Sequence, residues 1–406
     1  MVSYTSFITT GWFIFMKQAM NATVIKRANQ HLILDAIYRS GTTSRTQLAK
    51  DLQLSKPAIS DNLQHLLELG IVDEIGESCS GPSGGRKSIL LQFNPMHKYI
   101  ISVNLNFSNP VFVLGNLDGE ILNAFDISIA QNTPIQSCME LVNSSIHVLL
   151  QSLGANADKV YCIAAAAPGV YNEEGTLISW NPNCGGPAWW EINLKQELLS
   201  AFGLPVIVYN DVKAATLGEW VKGAGNNEPN LLYLSAGLGI GAGIILNGAP
   251  LLGERFNAGE IFDYIDSSNA YCGLNLEDTT CIEHLKEQCL RIPHSPFSSH
   301  SGVSLDAIIR AYEDGHPDVT TIIDGITKRL AVISYNYMTF ISASHVVFGG
   351  EYAPFGHCFA KHLSQLFASK SRPVPNIKTS ELGKYSGIQG MIYLAREQYF
   401  QEICFR

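Results

Sequence analysis

LPVIVYND, residues 204–211, is a short apolar run that ends in a polar pair, which is typical of a buried strand. Similar runs precede and follow it, and together they decide the fold: YIISVNL (99–105), PVFVLGNL (110–117), KVYCIAAAA (159–167), NLLYLSAG (230–237), AGIILNG (242–248) and HVVFGGEY (345–352). Amphipathic stretches lie between them at residues 137–153, 191–202 and 304–340. This alternation predicts an α/β domain with a mixed sheet. Two strand-rich blocks separated by helices predict two lobes with a cleft between them.

Ahead of this part, residues 21–95 predict three helices followed by a β-wing. Ser44 can cap the second helix and Ser55 the third, because a serine oxygen accepts a hydrogen bond from a free N–H in the first turn. Two short strands around the glycine-rich tip GPSGGRKS (81–88) complete the wing. The apolar residues that recur at helical spacing, and that we expect to be buried, are Ile33, Leu34, Ile37, Leu48, Ala49, Leu52, Ile59, Leu63, Leu66 and Leu67.

This helix–turn–helix spacing lets the third helix lie in a major groove of DNA. Residues at its exposed N-terminal part would meet base edges, whereas the start of the second helix and the wing tip would meet phosphate. The alternative is a three-helix unit that only packs against the rest of the chain. The residues predicted to contact DNA are Ser44, Arg45, Thr46, Lys56, Ser60, Gln64, Arg86 and Lys87.

The charge of the 406-residue chain is unevenly divided. The whole chain has a net charge of −9, and its 46% hydrophobic and 16% charged residues exclude intrinsic disorder. Residues 21–95 carry 8 Lys and Arg against 7 Asp and Glu, a net of +1, whereas residues 96–406 carry 18 against 29, a net of −11. DNA contacts are therefore expected only from the first hundred residues.

The cysteines and the N-terminal residues indicate in which cellular compartment the protein acts. Nine scattered cysteines without a secretory signal predict a cytoplasmic protein with reduced thiols. The sequence contains no apolar run of about 18 residues, so we predict no membrane span. We interpret residues 1–20 as a leader upstream of a true start at Met16 or Met20, with packing against the body as the alternative.

The second half of the chain carries an ordered set of motifs: SWNPNCGGPAWWEINL (179–194), LPVIVYNDVKAATLGEW (204–220), LLYLSAGLGIGAGIILNGAPLLGERFNAGEI (231–261), CIEHL (281–285) and HVVFGGEY (345–352). Together with the N-terminal winged helix, they resemble the ROK family of sugar-responsive repressors and sugar kinases over residues 24–400. The resemblance implies that residues 96–406 form a two-lobed, actin-like (ribonuclease H-like) sugar-kinase fold.

The same resemblance implies a sugar site formed by polar side chains. Hydroxyl groups both donate and accept hydrogen bonds, so carboxylates and amides suit them. Asp211 would also be the general base in a kinase of this family. The alternatives are that Asp211 caps a helix that begins at Val212 and that Glu260 is a surface carboxylate. The residues that match the family's sugar contacts are Asn183, Asn210, Asp211, Glu260 and Glu283.

The phosphate-binding motifs depart from those of the family's kinases. At the place where these kinases have a motif similar to D-x-G-G-T, this chain has VNLNFSN (103–109). Asn104 replaces the Asp that orients the metal ion, and Phe107 and Ser108 replace glycines. The second glycine-rich turn, AGLGIGAG (236–243), has Leu238 where the family prefers Thr, and a simple tight turn is its alternative interpretation. These changes predict that the chain does not use ATP.

The structural zinc motif of the family is also altered. GEIFD has Phe262 and Asp263 where the family has Gly and the zinc-binding His, and only Cys272 and Cys281 remain of the cysteine cluster. A structural zinc site usually needs four N or S ligands. We therefore predict that structural zinc is lost and that the protein has no cofactor, with a site formed by Asp263, Cys272 and Cys281 as the alternative.

These observations predict a DNA-binding regulator of carbohydrate-utilisation genes that responds to a sugar, is not an enzyme and acts as a repressor. Helix-turn-helix proteins meet paired half-sites, so a homodimer on operator DNA is expected. Two alternatives stay open: a sugar kinase that uses Asp211 as base, and a regulator that answers to a protein partner.

Overall fold

The computed structural model describes residues 22–77, 88–106, 109–130, 133–181, 187–262, 264, 275–293, 297 and 303–405. Outside these ranges lie residues 1–20, the wing tip with Arg86 and Lys87, and Phe107, Ser108, Asn183, Asp263 and Cys272. The described chain forms an N-terminal helical unit and a two-lobed α/β body, which is the fold class that the sequence predicts. Among its helices, none has the length and apolar character needed to cross a membrane.

The N-terminal unit combines three helices with a three-stranded antiparallel sheet. Its elements are α1 (Ala22–Ser40), β1 (Thr42–Ser44), α2 (Arg45–Asp51), α3 (Lys56–Glu68), β2 (Val72–Glu77) and β3 (Ile89–Phe93). The strand order is β1-β3-β2, so the second strand of the wing is central. The three helices and the two wing strands were predicted, and β1 is an addition.

Local hydrogen bonds set the ends of these helices. Ser44 Oγ accepts the N–H of Gln47 at 3.2 Å, and Ser55 Oγ accepts the N–H of Ala58 at 3.3 Å, which confirms both predicted caps. Gly70 follows α3 with a φ of +73°, a backbone conformation that favours glycine. The apolar residues that these helices bury, each at most 1% exposed, are Ile33, Leu34, Ile37, Leu48, Ile59, Leu63 and Leu66. Three others that were predicted to be buried are half-buried at the edge of this core: Ala49, Leu52 and Leu67.

The first lobe of the body is a five-stranded mixed sheet with helices. Its elements are β4 (Tyr99–Asn104), β5 (Val111–Asn116), β6 (Ile121–Asp126), α4 (Ile135–Leu153), β7 (Val160–Ala167), β8 (Val170–Tyr171), β9 (Leu177–Ser179), α5 (Leu194–Phe202) and β10 (Val206–Asn210). The strand order is β10-β7-β4-β5-β6, and β8 pairs with β9 in a separate hairpin. The strands β4, β7 and β10 are parallel, so their carboxyl ends meet at one edge.

The second lobe contains another five-stranded sheet and a larger set of helices. Its elements are α6 (Asp211–Lys222), β11 (Leu231–Ala236), β12 (Ile240–Leu246), β13 (Ala249–Pro250), α7 (Leu276–Thr280), α8 (Ile282–Leu290), α9 (Leu305–Glu313), α10 (Pro317–Ile341), β14 (His345–Gly349), α11 (Gly356–Ser369), β15 (Asn376–Thr379) and α12 (Ser386–Phe405). The strand order is β13-β12-β11-β14-β15, with β11, β14 and β15 parallel.

Helices α6 and α12 cross between the lobes at very short range. A Cβ atom on Gly218 would lie 1.9 Å from the carbonyl oxygen of Ser386, and one on Gly390 would lie 1.8 Å from that of Ala214. Only glycine therefore fits at these two positions. Beyond this crossing, α12 continues to the N-terminal unit, where Phe400 contacts the ring of Tyr38 edge to face.

Candidate functional site

A cleft of about 790 Å³ lies between the two lobes. The carboxyl ends of β4, β10 and β11 open into it, together with the turn that joins β11 to β12 and the first residues of α12. Ligands of open α/β sheets usually bind at such an edge. The polar residues that line the cleft include Asn104, Asn106, Asn181, Asn210, Asp211, Glu260, Glu277 and Glu351.

Asn210 and Asp211 stand at the junction between β10 and α6. Asn210 caps the helix, because its Oδ1 accepts the N–H of Lys213 at 2.9 Å while its Nδ2 donates to the carbonyl of Gly169 at 2.9 Å. Asp211 is the first residue of the helix, and its Oδ1 accepts the N–H of Val212 at 2.9 Å. The cap is thus Asn210 and not Asp211, and Asp211 faces the cleft.

The environment of Asp211 shifts its acid–base behaviour. Burial raises the pKa of this carboxyl to about 6, the charge of Glu260 contributes to the rise, and the hydrogen bond from Val212 opposes it. The group is therefore ionised at neutral pH, yet it gains a proton under mildly acidic conditions. Such a carboxylate accepts a hydrogen bond from a ligand hydroxyl strongly, and it has the pKa of a usable general base.

Glu260 enters the cleft as half of an ion pair. Its Oε1 lies 3.0 Å from Nζ of Lys213, and the two side chains are 23% and 6% exposed. The lysine comes from α6 and fixes the glutamate against the same helix that begins with Asp211. The alternative of a free surface carboxylate for Glu260 is therefore wrong. Lys213 was not predicted from the sequence, where its only signal was a lysine two residues after Asp211.

A second glutamate of the cleft is Glu277, which was not predicted from the sequence. Its Oε1 accepts a hydrogen bond from Nδ2 of Asn181 at 2.7 Å, and its Oε2 accepts the N–H of Ile240 at 3.0 Å. Burial raises the pKa of Glu277, and these two bonds oppose the rise. The carboxylate therefore links Asn181, which follows β9 in the first lobe, to the end of the glycine-rich turn in the second lobe.

The structure places Glu283, a residue predicted to hold a sugar, outside the lining of the cleft. Its side chain is 68% exposed, pairs with Lys286 at 2.8 Å and is not part of the cleft lining. The physical reason is that α8 begins at Ile282, which places Glu283 in the first turn of that helix. An acidic residue there favours the helix N-terminus, and the lysine three residues later lies on the same face.

Two stacked tryptophans line the cleft. The rings of Trp180 and Trp190 are nearly parallel, at an interplanar angle of 3° with centroids 6.3 Å apart. Trp180 is 46% exposed, so part of its side chain is available to a ligand. Aromatic walls with a few polar groups are typical of small-molecule sites. Only Asn183 was predicted from this loop; the missed signal was the aromatic residues on both sides of the glycine-rich insertion.

Two asparagines in the cleft have unsatisfied amide oxygens. Among the described residues, Oδ1 of Asn104 and Oδ1 of Asn106 are buried and have no hydrogen-bond partner. Asn104 is only 8% exposed and ends β4. An unsatisfied buried acceptor costs about 1–3 kcal/mol, so a ligand hydroxyl that donates to it is stabilised. The substitution in the first phosphate motif therefore places hydrogen-bond acceptors in the cleft.

A carboxylate lies against the glycine-rich turn between β11 and β12. Oε2 of Glu351 accepts the N–H of Leu238 at 3.2 Å. A Cβ on Gly237 would come within 1.9 Å of that oxygen, so the glycine leaves room for the carboxylate. Burial raises the pKa of Glu351. Backbone N–H groups of such turns are anion-binding positions, and here the chain supplies its own acidic group.

On the N-terminal unit, α3 presents an open polar face. Lys56, Ser60 and Gln64 are exposed along it, as the sequence predicts. Gln64 donates to Oε1 of Glu68 at 2.9 Å, which orients its amide along the helix. A base edge can replace this exposed partner, because a solvent-accessible hydrogen bond contributes little net stability.

At the start of α2, two of the three residues predicted to contact DNA also make contacts within the protein. The hydroxyl of Ser44 caps the helix, and Arg45 pairs with Glu74 of β2 at 2.7 Å, which ties α2 to the wing. Thr46 is exposed. Because this ion pair is partly solvent-exposed, it contributes little stability and a phosphate group can compete for the arginine.

Comparison with protein families identifies the body. The family described as the ROK family matches residues 101–398. The chain belongs to the ROK family. The family described as the MarR family matches residues 25–81, which include most of α1, all of α2 and α3, and the first wing strand.

Related proteins and solved structures match large parts of this chain, from 74% to 94% of it. The "Putative xylose repressor" of Caldicellulosiruptor sp. (strain Rt8B.4) is 26% identical over 361 residues, which are 85% of this chain and 88% of the relative. A solved ROK family transcriptional regulator, described as a homolog of the E. coli MLC protein, superposes with a TM-score of 0.76 at 24% identity and covers 94% of this chain and 98% of its own. A ROK family glucokinase from Streptomyces griseus, solved with glucose and AMPPNP, has a TM-score of 0.63 at 20% identity and covers 74% and 99%.

The ROK zinc loop falls largely outside the described residues, since Asp263 and Cys272 both do. Phe262 lines the cleft, and Cys281 is half-buried where α7 meets α8. Burial raises the pKa of the Cys281 thiol. The loss of structural zinc from this loop remains a prediction.

Proposed function

We propose that this ROK protein is a sugar-responsive transcriptional repressor, whose winged helix holds an operator until a sugar binds in the cleft. The observation that carries the proposal is the course of α12. Its first residues, Ser386 and Gly387, line the cleft, and its later turns contact α1 of the winged helix. One helix thus touches both the ligand site and the DNA-binding unit.

The near end of α12 is held by α6, the helix that begins with Asp211. The carboxylate of Glu219 on α6 is fully buried and accepts the hydroxyl of Ser386 at 2.7 Å. The glycine crossing of the two helices lies beside this bond. A ligand that moves Asp211 therefore displaces α6 and α12 together, because packed cores shift as rigid elements.

The middle of α12 contacts the winged helix through Arg396, which is 6% exposed. Its Nη1 donates to the hydroxyl of Tyr38, and its guanidinium lies 4.1 Å from the centre of the Tyr38 ring. The Tyr38 hydroxyl in turn donates to Oδ1 of Asp118 at 2.9 Å. These contacts make α1 follow α12, which supplies the physical link that coupling between two sites requires.

The proposed effector is a sugar, with D-xylose first among those to test because relatives are named xylose repressors. A ring of adjacent hydroxyls suits the acceptors that line the cleft: Asn104, Asn106, Asp211, Glu260 and Glu277. The apolar face of the ring can lie on Trp180. Asn210 contributes indirectly, since its cap positions Asp211.

We further propose that the protein acts in the cytoplasm as a homodimer on a near-palindromic operator. Each winged helix has one exposed recognition face, and paired half-sites need two of them. A ligand that tilts α12 in each subunit would change the separation of the two recognition helices. The resulting mismatch with one half-site would lower operator affinity by about 1–3 kcal/mol, the usual coupling range.

The second candidate function is a sugar kinase, because Asp211 is retained and has a pKa of about 6. The acidic side chain of Glu351 at the second phosphate turn opposes it, since a carboxylate repels the phosphates of ATP. Two relatives that match 85% and 86% of this chain are named xylose repressors, which also favours a regulator.

We expect no phosphate transfer when the protein is incubated with ATP, Mg²⁺ and a panel of pentoses and hexoses. The Streptomyces griseus glucokinase with glucose serves as the positive control for the assay. Turnover by the wild type that is abolished in Asp211→Asn would show that the chain is a kinase.

Substitutions on the DNA-binding unit are expected to separate two kinds of contact. Arg86→Ala and Lys87→Ala should weaken binding to all DNA sequences and reduce the salt slope by roughly 1 per phosphate contact removed. Lys56→Ala and Gln64→Ala, on the exposed face of α3, should instead cost about 1–3 kcal/mol at the operator and relax its sequence preference. Binding titrations at several salt concentrations measure both effects. Unchanged affinity and salt slope in the wing variants would show that the wing does not contact DNA.

A further inference from the structure

We infer that helices α10 and α11 carry a binding site for a divalent transition-metal cation of the Zn²⁺ class, formed by Asp324, Cys358 and His362. Each residue offers one ligand atom, and these atoms lie within 4.8 Å of one another. Nε2 of His362 is 2.9 Å from Oδ1 of Asp324, and Sγ of Cys358 is 3.7 Å from the same oxygen. The cluster lies outside the cleft lining and outside the ROK zinc loop.

The geometry follows from the two helices. Cys358 and His362 are four residues apart on α11, so their side chains lie on one face, and Asp324 projects from α10 beside them. Ligand atoms around a tetrahedral Zn²⁺, with bonds of about 2.0–2.3 Å, lie roughly 3.3–3.8 Å apart. The separation between Sγ of Cys358 and Oδ1 of Asp324, 3.7 Å, falls in this range, and that between Nε2 of His362 and the same oxygen, 2.9 Å, is slightly shorter, so small side-chain rotations suffice to enclose an ion.

The chemistry of the three ligands fits the same class of ion. A thiolate and an imidazole favour Zn²⁺ and Co²⁺ over Mg²⁺ and Ca²⁺, which prefer oxygen ligands. Cys358 and His362 are nearly buried, whereas the side chain of Asp324 is 42% exposed. The exposed side of the cluster, at Asp324, gives the ion a path into the site and leaves its fourth coordination position open to water.

The surroundings of the thiol support this assignment. Cys358 is 7% exposed, and it releases its thiol proton when it binds the ion as a thiolate. Oγ1 of Thr327 lies 3.2 Å from the sulfur and can donate to the thiolate that results. Partners of this kind orient metal ligands and raise the affinity of the site.

The test uses the full chain, freed of metal by a chelator and then titrated with Co²⁺. We expect one Co²⁺ per chain at this site, with the ultraviolet charge-transfer band of a sulfur–cobalt bond, and displacement of the Co²⁺ by Zn²⁺. Cys358→Ser should remove the band. His362→Gln and Asp324→Asn should weaken binding by at least about 10–100-fold, since even the loss of a partner that only supports a ligand costs that much.

Cys281→Ser is the matched control, because this half-buried cysteine belongs to the ROK zinc loop, and it should leave the band unchanged. Circular dichroism establishes that each variant is folded. His362→Gln retains a hydrogen-bonding side chain, so it tests the site even where Cys358→Ser unfolds. A wild type without the band would overturn the inference, and so would a band that survives Cys358→Ser and disappears in Cys281→Ser.

Discussion

Replacing Asp211 with alanine is expected to abolish the response to sugar while operator binding stays intact. The carboxylate faces the cleft at the start of α6, away from the exposed face of α3. A hydrogen bond to a charged group contributes about 1.5–3 kcal/mol, so sugar affinity should fall roughly 10–150-fold. Calorimetric titration with the effector measures the loss directly, and operator titrations with and without sugar measure the response.

Glu283→Gln is the matched control for Asp211→Ala. This glutamate was singled out by the family resemblance, yet its side chain is exposed and outside the cleft, so the response should be unchanged.

The sugar affinity of the wild type should also fall as the pH drops through about 6, because Asp211 then gains a proton and loses an acceptor. Wild-type sugar affinity in Asp211→Ala would contradict the placement of the site.

Gly218→Ala is expected to destabilise the protein strongly. The added carbon would lie 1.9 Å from the backbone oxygen of Ser386, so α12 must move away from α6. Overpacking of this kind typically costs about 1–3 kcal/mol, and a clash with backbone belongs at the upper end of that range. Thermal and denaturant unfolding measure the loss of stability.

Gly325→Ala provides the control for the change from glycine to alanine. Gly325 lies within α10, and nothing approaches within 4 Å of the position that its Cβ would take. Alanine is the better helix former there, so the variant should be more stable than the wild type by about 0.4–1 kcal/mol. Equal stability of the two variants would show that α6 and α12 do not cross at the close distance observed.

The winged helix was predictable because its signals are local. Ser44 and Ser55 cap helices three residues before the N–H groups that they bind, and Ile33, Leu34 and Ile37 repeat at helical spacing. Such patterns depend on neighbours in the sequence, so they survive without knowledge of the fold. The short strand β1 was missed, since three residues carry too little pattern to distinguish a strand from a loop.

The cleft was predicted only where a motif marked it. Asp211 and Glu260 stand in recognisable motifs, whereas Glu277 meets Asn181 across 96 positions of sequence. Glu351 reaches Leu238 because β11 and β14 pair in parallel, which brings the segments that follow them together. Long-range pairing of this kind leaves no local signal. Glu283 lies outside the cleft lining although its motif is present, because the local helix start turns its side chain outward.

A single experiment tests whether a sugar in the cleft controls the winged helix through α12. The operator affinity of the wild-type protein is determined with and without D-xylose and a panel of other sugars. We expect at least one sugar to lower operator affinity about 5–150-fold, the effect of about 1–3 kcal/mol of coupling. An affinity that no sugar changes would contradict this mechanism and favour a regulator that answers to a protein partner.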